Sequence, residues 1–127
     1  LIDLGRGLSA TDFQHIILRR NDFRGRVAAL FEEIDLLIVP AQAYASPTVE
    51  KMATLGEDVD LLQGLLRFTC IFDLSGNPTI TLPCAFTEQD PPVAFPFVSH
   101  HWDEANLFRA GHAFQQATDW HLKHPAL

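Results

Sequence analysis

The segment from Phe68 to Cys84, FTCIFDLSGNPTITLPC, constrains the fold more than any other part of the chain. It begins with apolar residues at helical spacing, passes through a Ser-Gly-Asn-Pro turn, and continues as a short run rich in β-branched residues. Gly76 is a natural helix stop because glycine adopts a positive φ without steric cost. Asn77 precedes a proline, which disfavours helical backbone at that position. The segment therefore predicts a helix that ends at Gly76 and a strand that begins at Thr79.

The first third of the chain predicts a long helix and a buried strand. Ser9 is a good N-cap, and Asp12, three residues later, completes an acidic capping box. Apolar residues at helical spacing then continue to Ile34. Arg20 alone interrupts this stripe, and its long stem can still cover apolar surface. The apolar residues 36–39 fit a strand that is buried on both faces, and the stretch after it, to Thr54, is predicted to be a loop.

The second half of the chain predicts a helix followed by a hairpin. Asp58 or Asp60 caps the helix, whose apolar face leads into the segment described above. Strands over residues 79–84 and 93–99 are separated by a short Pro-rich turn, which predicts antiparallel pairing. Pro96 lies in the second of these strands. It predicts an edge position or a bulge, since proline cannot donate to a β-ladder.

The last helix and the order of elements define the fold class. Asp103 is placed to cap this helix, and Pro125 marks its end. The predicted order is α-β-α-β-β-α, an α/β fold in which a small mixed β-sheet is flanked by helices. Residues 1–127 are expected to form a single domain or a fragment of one, and the start at Leu1 without a methionine indicates a trimmed or excerpted polypeptide.

Charge and composition exclude several classes of partner. The formal net charge is −7 and 47% of the residues are hydrophobic, so we expect a packed acidic globule that binds neither nucleic acid nor anionic membranes. No apolar run approaches the roughly 20 residues that span a bilayer, and no signal peptide is expected. Cys70 and Cys84 are predicted to be buried free thiols, which fits a cytoplasmic protein.

Groups suited to catalysis or metal binding are sparse. His100 and His101 are adjacent on a strand and would point to opposite faces, and no HExxH or CxxC pattern occurs, so no metal and no other cofactor is predicted. None of the serines lies in a Gly-x-Ser-x-Gly motif, and both cysteines are expected to fill core space. Asp73 is predicted to accept hydrogen bonds from amides of the adjoining turn. The residues by themselves thus indicate no catalytic group.

Several segments, in the same order, resemble the amidase signature family of serine hydrolases. Phe68–Cys84 is similar to the family's Phe-Thr-x-x-x-Asn-Leu-x-Gly-x-Pro-x-x-x-x-Pro-Cys stretch, with Asp73 in place of the Asn. Asp35–Pro40 is similar to its Asp-x-Leu-x-x-Pro strand, and Pro92–Val98 and Asp103–Leu107 follow in the family's order. The resemblance implies the C-terminal part of a hydrolase of carboxylic amide C–N bonds, as in amidases and the related glutamyl-tRNA amidotransferase enzymes.

The resemblance also bears on the site. Family members use a Ser–cis-Ser–Lys triad beside a Gly/Ser-rich signature that this sequence lacks, so no catalytic residue is carried over. Lys51 and Lys123 lack the buried, serine-adjacent context that the family's lysine requires. By the same resemblance Arg67, Phe68 and Phe72 lie near the substrate cleft and are candidate substrate-binding residues. The alternative for the two phenylalanines is a place in the core.

Two functional hypotheses remain open from the sequence. In the first, the chain binds a small-molecule amide substrate only together with the missing N-terminal part of the enzyme, and it is inactive alone. In the second, it is a stand-alone, non-catalytic binding or interaction module with an amidase-like half-fold. In either case strands 36–39 and 79–84 would expose edges, which predicts self-association of the chain.

Overall fold

The computed structural model describes residues 2–44, 46–87 and 91–124, and these ranges confirm an α/β fold. The helices are α1 (Ile2–Arg6), α2 (Ala10–Leu30), α3 (Val49–Ala53), α4 (Val59–Leu66), α5 (Cys70–Ser75), α6 (Glu104–Ala117) and a 3₁₀ turn (Trp120–Leu122). The strands are β1 (Leu36–Ile38), β2 (Thr79–Phe86) and β3 (Pro92–Ser99). Helices α1 and α3 were not predicted, and Pro125 lies outside the described residues. None of the helices in these ranges is long and apolar enough to cross a bilayer.

The three strands form one antiparallel sheet in the order β1-β3-β2. The predicted hairpin is confirmed by the pairing of β2 with β3. On its other side β3 pairs with β1, which places Leu36 opposite Ser99. Every pair in the described part of the chain is antiparallel, so the predicted mixture of strand directions is not found there. The two outer strands are β1 and β2, and these are the strands for which the sequence predicted exposed edges.

Pro96 lies in the middle of the central strand and is fully buried, so the predicted edge position is wrong. Alternate residues of a strand direct their N–H and C=O groups to alternate neighbours. Pro96 belongs to the set that faces β1, because its carbonyl accepts a hydrogen bond from the Val39 N–H at 3.2 Å. Pro96 has no N–H to return to Val39, which lies one residue past the end of β1 at Ile38, so the absent donor falls outside the regular β1–β3 pairing. The sheet's irregularity lies instead in β2, between Pro83 and Ala85.

Helix α2 begins with the predicted capping box. The Ser9 hydroxyl accepts a hydrogen bond from the Asp12 N–H at 3.1 Å, and the Asp12 carboxylate accepts one from the Ser9 N–H at 3.2 Å. Hydrogen bonds from the Ser9 hydroxyl and then from its N–H hold the pKa of Asp12 below its ordinary value. The helix ends before Ile34, and its apolar stripe is covered only near that end, because Phe13 and Ile16 are exposed.

The core lies where α2 and α5 meet the sheet. Its buried members are Phe31, Phe72 and Val98, with Val27, Ile34, Leu37 and Val39 packed against them. The predicted second helix, capped by Asp58, is divided into α4 and α5 by a turn at residues 67–69. Arg20, the polar residue in the stripe of α2, donates from Nε to the carbonyl of Leu74 at 2.9 Å and so joins α2 to α5.

Candidate functional site

The Ser-Gly-Asn-Pro turn is the centre of a buried polar network. Ser75 Oγ donates to Asn77 Oδ1 at 2.7 Å, and Asn77 Nδ2 donates to the carbonyl of Ser99 at 2.8 Å. All three residues are buried. Gly76 has a φ of 83°, as its position predicted, and its N–H closes α5 on the Phe72 carbonyl at 2.7 Å. The polar groups of the turn therefore tie the end of α5 to the sheet.

The charged and imidazole groups around this turn have separate positions. The Nε2 atom of His101 lies 3.0 Å from the carbonyl of Ser75, to which it donates. Asp73 is exposed in the first turn of α5. The side chain that hydrogen-bonds within the Ser-Gly-Asn-Pro turn is that of Asn77, whereas the prediction gave this role to Asp73. The rings of His100 and His101 are perpendicular, with centroids 5.9 Å apart. Within the described ranges, no three His, Cys, Asp or Glu residues are grouped to hold a metal ion.

A cavity of about 710 Å³ lies between the segment that follows β1 and helix α4. Its volume is in the range of small-molecule binding sites. Asp60, Gln63, Gly64 and Arg67 all line it. These positions fall on one side of the helix, because residues three, four and seven apart lie on the same face. This face contributes four residues to the cavity wall, and Leu62, Leu66 and Tyr44 complete it together with Ala43 and Cys70.

The three predicted substrate-binding residues occupy different places. Arg67 is exposed and lines the cavity. Phe68 is partly buried, and its ring centroid lies 6.0 Å from the guanidinium carbon of Arg67. Phe72 is only 4% exposed and belongs to the core cluster. The structure thus places Arg67 at the cavity, Phe68 beside Arg67 but outside the residues that line the cavity, and Phe72 in the core.

Tyr44 contributes to this site, although the sequence did not indicate it. It lines the cavity and two neighbouring ones of about 340 and 490 Å³. Its hydroxyl donates to the carbonyl of Asp60 at 3.3 Å, and the Ala43 N–H donates to the carbonyl of Gly64 at 2.9 Å. The signal that could have found it is Gly64, since an isolated glycine within a helical pattern commonly has a packing reason.

The serines make structural contacts. Ser75 and Ser99 are buried, and Ser9 caps α2. Ser46 is exposed, and its hydroxyl donates to the carbonyl of Pro92 at 3.5 Å. Of these serines, Ser9 and Ser46 are exposed, and the Ser9 hydroxyl donates to the Asp12 carboxylate within the capping box.

The two lysines contact other side chains, and the two cysteines are free thiols. Lys51 forms an ion pair with Asp58, and its hydrogen bond lowers the pKa of that carboxyl. Lys123 Nζ lies 4.1 Å from the centroid of the Trp120 ring. Cys70 and Cys84 are free thiols, as predicted, but Cys70 is exposed at the cavity instead of buried. Cys70 is the first residue of α5, directly after the turn at residues 67–69 that interrupts the predicted helix.

Comparison with known proteins gives consistent matches. The family model named Amidase matches residues 2–108. The protein named "Putative amidase AmiD" in Mycobacterium tuberculosis is 40% identical over 125 residues, which are 98% of this chain and 26% of that protein. A glutamyl-tRNA(Gln) amidotransferase subunit of Cupriavidus taiwanensis is 41% identical over 99 residues, which are 76% of this chain and 19% of that protein. The chain spans about a quarter of the length of the curated relatives it matches.

A solved structure shares the fold. That of 6-aminohexanoate cyclic dimer hydrolase complexed with substrate matches 94% of this chain and 27% of its own chain, with a TM-score of 0.83 at 21% identity. The match shows a common fold, and the family model covers most of the sequence. The resemblance carried by the Phe68–Cys84 segment is thus confirmed, and the chain belongs to the amidase family.

Proposed function

We propose that this chain is the C-terminal part of an amidase-family hydrolase of carboxylic amide C–N bonds, and that it is inactive alone. The observation that supports this most directly is the combination of an amidase-family fold with serines and lysines that are engaged in structural contacts. In this proposal the chain provides one wall of the substrate cleft. The nucleophile and its base come from the part of the family's length that this chain does not span.

Amide hydrolysis by a serine enzyme needs a hydroxyl, a base that removes its proton, and donors for the oxyanion. The exposed Ser46 hydroxyl donates to a backbone carbonyl, which cannot take up a proton under ordinary conditions. Lys51 is engaged in an ion pair with Asp58, and the nitrogen of a paired ammonium has no free electron pair to act as a base. These contacts support the assignment of catalysis to another part of the enzyme.

The wall that this chain would contribute is the cavity of Tyr44 and Arg67. It is lined by apolar and polar groups together, as small-molecule sites usually are. The substrate, a small-molecule amide, would bind productively only when the catalytic part is present. We also infer a cytoplasmic location, which the two free thiols support.

Turnover assays test the proposal. The isolated chain is incubated with aryl amides and aryl esters, beside a Ser46→Ala variant and a complete amidase as positive control. We expect no hydrolysis above the rate of the variant. Turnover that Ser46→Ala abolishes would place a nucleophile on this chain and overturn the proposal.

A second measurement separates the proposal from the non-catalytic module. The chain is produced joined to the polypeptide encoded directly upstream of it. Aryl-amide hydrolysis by the joined protein supports the proposal. A joined protein that folds and hydrolyses no amide favours the module.

A further inference from the structure

Two opposite charges line the cavity beside Tyr44, and neither is neutralised by an ion pair. Asp60 and Arg67 both belong to its wall. In the described part of the chain the ion pairs are Asp3–Arg6, Asp22–Arg26 and Lys51–Asp58. Both side chains at the cavity therefore remain available to a ligand.

The spacing of these charges sets the length of a ligand. Asp60 lies in α4 and Arg67 is the C-cap of that helix, with helical backbone angles. Residues seven apart lie on the same side of a helix, which puts their Cα atoms about 10 Å apart along the axis at about 1.5 Å per residue. Three extended amino-acid residues also span about 10 Å. A linear molecule of that length could reach both charges at once.

The surface between the two charges suits the body of such a molecule. Gly64 lies between them on the same face and carries no side chain, so the ring of Tyr44 packs directly over it. Tyr44 as a whole remains 47% exposed, so its ring can offer apolar surface to a ligand. Gln63 also lines the cavity and can both donate to and accept from an amide group.

We infer that this cavity binds a short linear amide that has a free amine at one end and a free carboxylate at the other. Asp60 accepts hydrogen bonds from the ammonium, Arg67 donates to the carboxylate, and the chain between them lies along the Tyr44 ring. Short peptides and oligomers of amino acids joined by amide bonds belong to this class. The inference rests on the proposed function and deepens it, because this molecule would be the substrate or the product that the wall orients.

The test is a titration of the joined protein described above with four forms of one peptide, followed by calorimetry. The peptides are alanyl-leucyl-alanine, its N-acetylated form, its C-terminal amide, and the form with both ends blocked. Hydrogen bonds to charged groups contribute enough that blocking either end should weaken binding about tenfold. The doubly blocked peptide should bind weakest.

Variants assign each end to its residue. Asp60→Asn should weaken binding of the free peptide about tenfold and leave that of the N-acetylated peptide unchanged. Arg67→Gln should likewise weaken binding of the free peptide about tenfold, and it should leave the affinity for the C-terminal amide unchanged. Glu104→Gln and Arg109→Gln are matched controls for the loss of one charge, since both residues are exposed on α6 and neither lines the cavity.

Three results would overturn the inference: equal affinity for all four peptides, no measurable binding of any, or equal losses in the α6 controls. The hydrolysis assays described above are independent of this outcome. If the joined protein hydrolyses aryl amides while the peptides fail to bind, the ligand assignment is wrong and the proposed function stands.

Discussion

A side chain at position 64 would overlap the ring of Tyr44, because a Cβ built on Gly64 lies 2.0 Å from the ring's Cε2 atom. The glycine is buried within helix α4. The close approach lets the tyrosine hydroxyl reach the carbonyl of Asp60 at 3.3 Å. This pair of residues therefore fixes the segment after β1 against α4 and shapes the cavity between them.

Gly64→Ala should force the tyrosine ring to move. The gain of about 1 kcal/mol from replacing a helical glycine would be offset by the lost ring contact and hydrogen bond. The control is Gly25→Ala in α2, where nothing lies within 4 Å of the added Cβ. We expect the control to be more stable than Gly64→Ala by about 1 kcal/mol or more in urea denaturation. Equal stabilisation by both substitutions would contradict the close packing.

Asn77→Ala should be strongly destabilising. It leaves the buried Ser99 carbonyl without its donor at 2.8 Å, and it removes the nearer acceptor of the Ser75 hydroxyl, which keeps only the Phe72 carbonyl at 3.3 Å. An unsatisfied buried group costs roughly 1–3 kcal/mol and a lost hydrogen bond about 1 kcal/mol, so we expect a loss of about 2–4 kcal/mol in urea denaturation. Asn21→Ala, at an exposed position of α2, is the control and should change stability little. A small effect of Asn77→Ala would show that the turn network does not hold α5 to the sheet.

The capping box predicts a pH dependence at the start of α2. Hydrogen bonds from Ser9 lower the pKa of Asp12 from its ordinary value of 3.8. The ionised carboxylate therefore stabilises the folded chain above that pH, and this contribution is lost as pH falls through the lowered pKa. An NMR titration should give Asp12 a lower midpoint in the native chain than in Ser9→Ala. Glu50, which lies at α3, should titrate identically in both. An unchanged Asp12 midpoint would contradict the assignment.

Among the residues that the structure describes, β2 pairs with a strand on one side only. We propose that its outer edge leads the isolated chain to self-associate, which a single proline can test. The Ser99 N–H donates to the Pro78 carbonyl, so alternate residues of β3 from Ser99 face β2, and Pro96 does not. Its partner Thr81 must then direct its N–H outward. Thr81→Pro should reduce association in sedimentation velocity while the fold is kept.

The neighbouring substitution is the control for that experiment. Ile80 is paired with Phe97, a residue of the set that faces β2, so Ile80→Pro removes a bond of the ladder itself and should destabilise the fold. Association that is unaffected by Thr81→Pro, or a chain that is monomeric at high concentration, would contradict pairing through this edge.

The features predictable from the sequence are those set by neighbouring residues. Ser9 and Asp12 form their capping box within one helical turn, and Gly76 ends α5 through its own backbone conformation. The hairpin follows from two strand patterns joined by a short connection. These local preferences agree with the final fold, so the sequence pattern identified them.

What the sequence did not indicate depends on contacts between distant residues. The central position of Pro96 follows from where β1 ends, which no pattern within β3 reports. The exposure of Cys70 follows from the turn that separates α4 from α5. Tyr44 lies in a segment without periodicity and gains its place through Gly64, twenty residues later.

The absence of a reactive nucleophile on this chain is tested most directly by intact-protein mass spectrometry after incubation with a fluorophosphonate probe. Such a probe labels serines that a neighbouring base activates. We predict that the chain keeps its unmodified mass while a complete amidase treated in parallel gains one adduct. A stoichiometric adduct on the isolated chain, mapped to Ser46 and abolished by Ser46→Ala, would contradict the account.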